Sequence, residues 1–133
     1  MTRIFADTFY FLAILNTRDR AHERAVKFSD SFGASTVTTA WVLTELGDGM
    51  ASTGRRTAFL RLVRNLSSNP MCEIVPASQT LFDRGLALYA ERPDKDWSLT
   101  DCISFEIMRE YGLTDALTGD RHFEQAGFTA LLA

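Results

Sequence analysis

Arg3-Ile4-Phe5-Ala6-Asp7-Thr8 is a short apolar run that ends on an acid and passes at once into the helix-like stretch Phe9 to Leu15. A buried strand followed directly by a helix is the opening unit of an α/β fold. The same arrangement returns at Ala116-Leu117-Thr118-Gly119-Asp120. Between them, residues 35–38 (Ser-Thr-Val-Thr) and 72–75 (Cys-Glu-Ile-Val) read as two further strands, and a last one is expected near residues 128–131. Helical spacing fills the gaps: residues 8 to about 16, 19 to about 32 with a stop at Gly33, 39 to about 52 with Thr39 as cap, and 55–66. It continues over 78 to about 91, 98–111, and a short turn from about 121. Strands that alternate with helices in this way predict an α/β/α sandwich of three layers around a central, mostly parallel sheet. At 133 residues and 14.9 kDa, one domain spanning 1–133 is expected.

Four acids fall at related places in this pattern. Asp7 and Asp120 close strand-like runs, Asp101 lies in the first turn of the helix opened by Ser98, and Glu45 lies inside the helix after the second strand. In an open parallel sheet, ligands bind outside the carboxyl ends of the strands. Each acid alone has a plain structural reading. Asp7 and Asp120 suit N-cap positions, Ser98-Leu99-Thr100-Asp101 matches a capping box with Asp in place of Glu, and Glu45 suits an exposed helix face. Taken jointly they read otherwise. Glu45 and Asp101 have apolar neighbours and no Lys or Arg within a helical turn. Carboxylates gathered there need a cation.

No Cys or His lies in a metal-ligand spacing near these acids, which argues against zinc. Oxygen ligands suit Mg²⁺ or Mn²⁺, and such ions serve phosphodiester hydrolysis by activating water and neutralising phosphate charge. Fourteen Lys and Arg against 17 Asp and Glu give a net charge of −3, so any contact with a polyanion must be local. The basic groups to consider are Arg55, Arg56, Arg61 and Arg64 on one helix face, and Arg121 and His122 beside Asp120. His22 reads as a surface residue. Phe9, Tyr10 and Phe11 read as core and dimer surface rather than a stacking platform, and Trp97 stands in the loop before Asp101 where it can meet a base. Cys72 and Cys102 form no CxxC and read as ordinary buried thiols of a reduced protein. The apolar run after Asp7 is too short to span a membrane, and a cytoplasmic protein without membrane contact is expected.

The order Asp7–Glu45–Asp101–Asp120 resembles the PIN-domain ribonucleases, in particular VapC-type toxins of toxin–antitoxin pairs. The matching segments are Asp7-Thr8, Leu43-Thr44-Glu45, Trp97-Ser98-Leu99-Thr100-Asp101-Cys102, and the tail Ala116-Leu117-Thr118-Gly119-Asp120-Arg121-His122-Phe123. The resemblance covers essentially the whole chain. It implies a PIN-like fold, an endoribonuclease dependent on Mg²⁺ or Mn²⁺, a homodimer, an RNA substrate and inhibition by a small antitoxin protein. It makes Asp7, Asp101 and Asp120 metal ligands, with Glu45 a fourth ligand or an orienter of water. Thr118 would hold a metal-bound water or contact substrate, and Arg121 would contact substrate. Gly119 departs from the larger or polar residue common before the last acid. The alternatives are a catalytically inactive binding module on the same fold, or a general RNA-processing nuclease without an antitoxin.

Overall fold

The computed structural model describes residues 3–31, 35–52 and 54–133, so the expected helix stop at Gly33 lies outside the described residues. The strands are β1 (Arg3–Ala6), β2 (Ser35–Thr39), β3 (Cys72–Val75), β4 (Asp115–Leu117) and β5 (Thr129–Ala130). They form a sheet in the order β3-β2-β1-β4-β5, and every pairing is parallel. The helices are α1 (Thr8–Leu15), α2 (His22–Ser31), α3 (Ala40–Gly49), α4 (Arg56–Ser68), α5 (Gln79–Glu91), α6 (Leu99–Glu110) and α7 (Arg121–Gln125). They cover the sheet as an α/β/α sandwich.

The chain steps outward from β1 to β2 and β3, then returns to the other flank of β1 to lay down β4 and β5. Such a reversal leaves a crevice at the carboxyl ends of β1 and β4, where ligands of open α/β sheets bind. Ala6 pairs with Leu117 in register, so Asp7 and Thr118 emerge side by side just beyond the last paired residues. The core beneath is apolar: Phe5, Val37, Phe105 and Phe123 are fully buried, with Phe105 meeting Phe123 edge to face at 4.9 Å. The buried hydroxyl of Thr38 donates to the carbonyl of Ala6 at 2.8 Å. It thereby fixes the β1 end that carries Asp7.

Helix boundaries shift where local hydrogen bonds compete. Helix α2 begins at His22 rather than 19, because the Asp19 carboxylate accepts from the Ala21 N–H and holds the preceding residues in a turn. The expected surface residue His22 is half-buried, and its ring nitrogen bonds the carbonyl of Ala13 at 2.7 Å, tying α2 to α1. Helix α4 is amphipathic as its spacing predicts, but Phe59, Leu62, Val63 and Leu66 are only half-buried. Cys72 is likewise half-buried, while Cys102 is fully buried, and both are free thiols.

Helices α5 and α6 meet at Gly85. A Cβ there would collide with the Ile103 side chain and stand 3.2 Å from the Ile103 backbone. Because Ile103 is two residues past Asp101, this contact sets the height of α6 and of the acid it carries. Gly85→Ala is expected to lower stability by about 1–3 kcal/mol through overpacking, despite a helix-propensity gain of about 1 kcal/mol. Urea unfolding measures this, and an unchanged midpoint would mean the two helices can separate freely.

Candidate metal centre

Asp7 stands at the N-cap position of α1, yet its side chain accepts no capping hydrogen bond. Instead the carboxylate is buried, and its Oδ2 accepts from the Thr118 hydroxyl at 3.0 Å. Burial is the largest influence on this group and pushes its pKa from 3.8 up to about 7. The Thr118 hydroxyl opposes the rise, and the charges of Asp101 and Glu45 add to it. Among the described residues no Lys or Arg forms an ion pair with Asp7. A buried carboxylate without a cation, facing two other acids, fits a site built for a bound dication.

Thr118 links Asp7 to the next acid. Its hydroxyl also accepts the Asp120 N–H at 3.1 Å, so a single oxygen joins the end of β1 to the loop after β4. Thr118 is fully buried. Its hydroxyl positions the two acids on either side.

Asp101 and Asp120 behave as caps and as members of the cluster together. Ser98 and Asp101 complete the reciprocal capping box of α6, with Asp101 N–H to Ser98 Oγ at 3.0 Å and Ser98 N–H to Asp101 Oδ2 at 3.1 Å. Asp120 Oδ1 accepts the His122 N–H at 2.9 Å and caps α7. In each case one oxygen serves the backbone and the second carries no bond described here. Burial raises the Asp101 pKa most, and the Asp120 charge adds to the rise. The Ser98 amide and His122 hold it down.

His122 is the residue that sequence spacing missed. Its Nδ1 stands 3.1 Å from Asp101 Oδ2 and 3.5 Å from Asp120 Oδ1. Asp101, Asp120 and His122 each offer a ligand atom, all within 4.8 Å of one another, a spacing that can hold a metal ion. The expectation that no histidine lies in a metal-ligand spacing near these acids is therefore overturned: α7 brings His122, read only as a basic neighbour of Asp120, back over Asp101, 21 positions earlier in sequence. Its place two residues after Asp120, on the first turn of a helix capped by that acid, was the available signal.

Glu45 differs from its expectation too. It is exposed on α3, not on a buried face, and its Oε1 accepts from the Thr8 hydroxyl at 2.5 Å. Thr8 follows Asp7 directly, so this bond brings Glu45 to the same mouth, and α3 and α6 touch there. Trp97 is buried, donates its indole N–H to Gln125 at 3.0 Å and packs edge-on to Phe105 at 5.0 Å. It is not available to a base. Arg55 and Arg56 donate to the carbonyls of Gly49 and Ala51, which ties the α3–α4 turn and withdraws half of the expected basic face. Gly119 has a local cause: a Cβ there would come within 2.5 Å of the Phe9 ring, which fills the space a larger residue would take.

A family model described as PIN domain matches residues 4–129. The 23S rRNA-specific endonuclease VapC20 of Mycobacterium tuberculosis is 29% identical over 126 residues, 94% of this chain and 95% of the relative. The crystal structure of Mycobacterium tuberculosis VapC20, described as a sarcin–ricin loop cleaving toxin, has a TM-score of 0.85. That superposition has 22% identity and covers 95% of this chain and 96% of that one. A toxin–antitoxin complex from Klebsiella pneumoniae gives a TM-score of 0.60 at 19% identity, over 89% of this chain and 87% of its counterpart. The structural likenesses establish the fold.

Two measurements check this geometry. The folded Asp7 carboxyl holds its proton more tightly than the unfolded one, so it favours the metal-free fold at low pH. That contribution is lost as pH rises from 3.8 to about 7 and stays lost above. At pH 8 without metal, Asp7→Asn should therefore be more stable than wild type, by on the order of a few kcal/mol. Its advantage should vanish below pH 4, and an advantage that grows on acidification would reverse the assignment. Separately, His122→Ala should weaken Mn²⁺ binding by roughly 10–100-fold in titration calorimetry. Unchanged affinity would show that the imidazole neither binds nor orients.

Proposed function

This chain belongs to the PIN domain family, and from that premise we propose that it is a divalent-metal-dependent endoribonuclease and the toxin of a toxin–antitoxin pair. The observation that carries the reading is the buried, unpaired Asp7 facing Asp101 and Glu45, with Asp120 and His122 joined to Asp101. Asp7, Asp101 and Asp120 are the metal ligands in this reading, and the ion is Mg²⁺ or Mn²⁺. The oxygen-rich donor set suits either, and the imidazole of His122 favours Mn²⁺ somewhat more than an all-oxygen site would. When bound, the ion supplies an activated water and neutralises charge on the phosphate.

The chain's own residues do the rest. Thr118 aims one oxygen of Asp7 into the crevice by holding the other. Ser98 and His122 hold Asp101 Oδ2, which leaves Oδ1 to face the site. Glu45, oriented by Thr8, is exposed and placed to accept a proton from an attacking water or to serve as a further ligand. Arg121, exposed beside Asp120, is placed to contact a phosphate of the substrate.

The relative's name gives 23S rRNA as its target, and similarity over 94% of this chain makes structured ribosomal RNA the first substrate to test. The complex from Klebsiella pneumoniae supports a small antitoxin protein as inhibitor. Phe82, Leu86 and Tyr89 form an exposed apolar row on α5, which supports a homodimer. None of the helices among the described residues is long and apolar enough to cross a membrane.

Purified protein incubated with ribosomal RNA is expected to cut it in Mg²⁺ or Mn²⁺ and to stop in EDTA. Asp101→Asn should lower the rate at least about 100-fold, the scale on which removal of one electrostatic catalytic group acts. Equal cleavage in EDTA would remove the metal from the mechanism. Metal binding without cleavage of any RNA would leave an inactive binding module on the same fold.

A further inference from the structure

Beside the acidic cluster lies an open depression of about 440 Å³ whose floor is Phe9, Ala21 and Leu132 and whose rim carries Arg18, Arg20 and Arg24. We infer that it seats one nucleotide of the RNA strand next to the bond that is cut, with a phosphate on the Arg18 and Arg20 guanidiniums and the base or ribose on the apolar floor. The inference rests on the ribonuclease reading above and gives it a binding lane.

Position comes first. The Phe9 ring that forms one wall of the depression lies against Gly119, the residue before Asp120. Leu132 donates its N–H to the Thr118 carbonyl at 3.0 Å, so the floor is fastened to the strand end that presents Asp120. The depression therefore adjoins the segment Thr118-Gly119 that leads into Asp120.

Charge comes second. The acidic cluster repels phosphate and the whole chain carries a net charge of −3, so affinity for an RNA strand has to come from a local cationic patch. Arg55 and Arg56 are engaged by the α3–α4 turn. Arg24 donates to the Ala133 carbonyl at 3.1 Å. Arg18 and Arg20 are exposed, and no ion pair to either is found among the described residues. Asp19 also lines the depression, but its Oδ1 accepts the Ala21 N–H at 2.9 Å, and three arginines outnumber this one carboxylate there.

Chemistry comes third. Guanidinium groups suit phosphate oxygens, and an apolar, partly aromatic floor suits a base or sugar face. A rim of arginines above such a floor matches a nucleotide better than a simple anion, which has no use for the floor. It also suits a strand that must pass the acids without resting its charge on them.

The test uses Asp101→Asn protein, so that RNA stays uncut, with and without Arg18→Ala/Arg20→Ala. Fluorescence anisotropy with a labelled single-stranded RNA is followed over a range of salt concentrations. The double substitution is expected to weaken binding roughly tenfold and to make the slope of log K against log salt shallower by about 0.7, the value for one lost phosphate contact on a single strand. Arg18→Lys/Arg20→Lys should restore most of the slope. With Asp101 intact, Arg18→Ala/Arg20→Ala should raise KM for RNA and leave kcat close to wild type. Retained RNA affinity and slope would overturn the inference, including when only an acidic protein partner is lost. Should the Asp101→Asn parent bind no RNA at any salt, the ribonuclease reading fails first and the lane falls with it.

Discussion

A carboxylate buried at the end of the central strand, without an ion-pair partner among the described residues, constrains everything around it. Folding must desolvate Asp7, and neither an N-cap bond nor a salt bridge offsets that cost. What the fold provides are neutral donors, the Thr118 hydroxyl first and the Thr8 amide second, while the charges of Asp101 and Glu45 work against them. The metal-free molecule relieves the strain between charges by holding a proton near neutral pH. Protons and metal ions thus compete for one place, and the same burial that weakens the apo fold strengthens the attraction for a dication.

The neighbouring acids show how one side chain can serve both helix and site. A carboxylate has two oxygens, and at Asp101 and Asp120 the helix start takes one. Capping and ligation looked like rival explanations in the sequence, but they are complementary. The cap fixes the side-chain torsions, so the remaining oxygen is presented in a defined direction, which is how a preorganised ligand set avoids the entropy of being gathered on binding. His122 extends the device, since its main chain bonds Asp120 while its ring reaches Asp101.

The strand–helix alternation and the acids at strand ends were legible because they are local: each lies within a few residues of the pattern that reveals it. The parallel strands at 3–6 and 72–75 appear with the expected limits. Features that depend on two distant segments were not legible. His122 next to Asp101, the Thr8 hydroxyl on Glu45 and the withdrawal of Arg55 and Arg56 into carbonyl bonds all come from how loops cross the sheet edge. Glu45 illustrates the limit. Its apolar neighbours Leu43 and Leu46 are buried, yet the helix turns Glu45 itself to solvent, because residues one or two apart on a helix face different ways. Trp97 erred in the opposite direction, since a loop position gave no hint of its partner Gln125.

The ring of Phe9 against Gly119 has an evolutionary consequence. A side chain can be gained at position 119 only in a background where position 9 has already shrunk or rotated away, and the loss of bulk at 9 leaves a gap until 119 fills it. The two positions form an epistatic pair, and one order of substitution passes through a clash while the other passes through a void. Descendants of this sequence that take a larger residue before the last acid should therefore have reached it by way of the void, carrying a small residue at position 9.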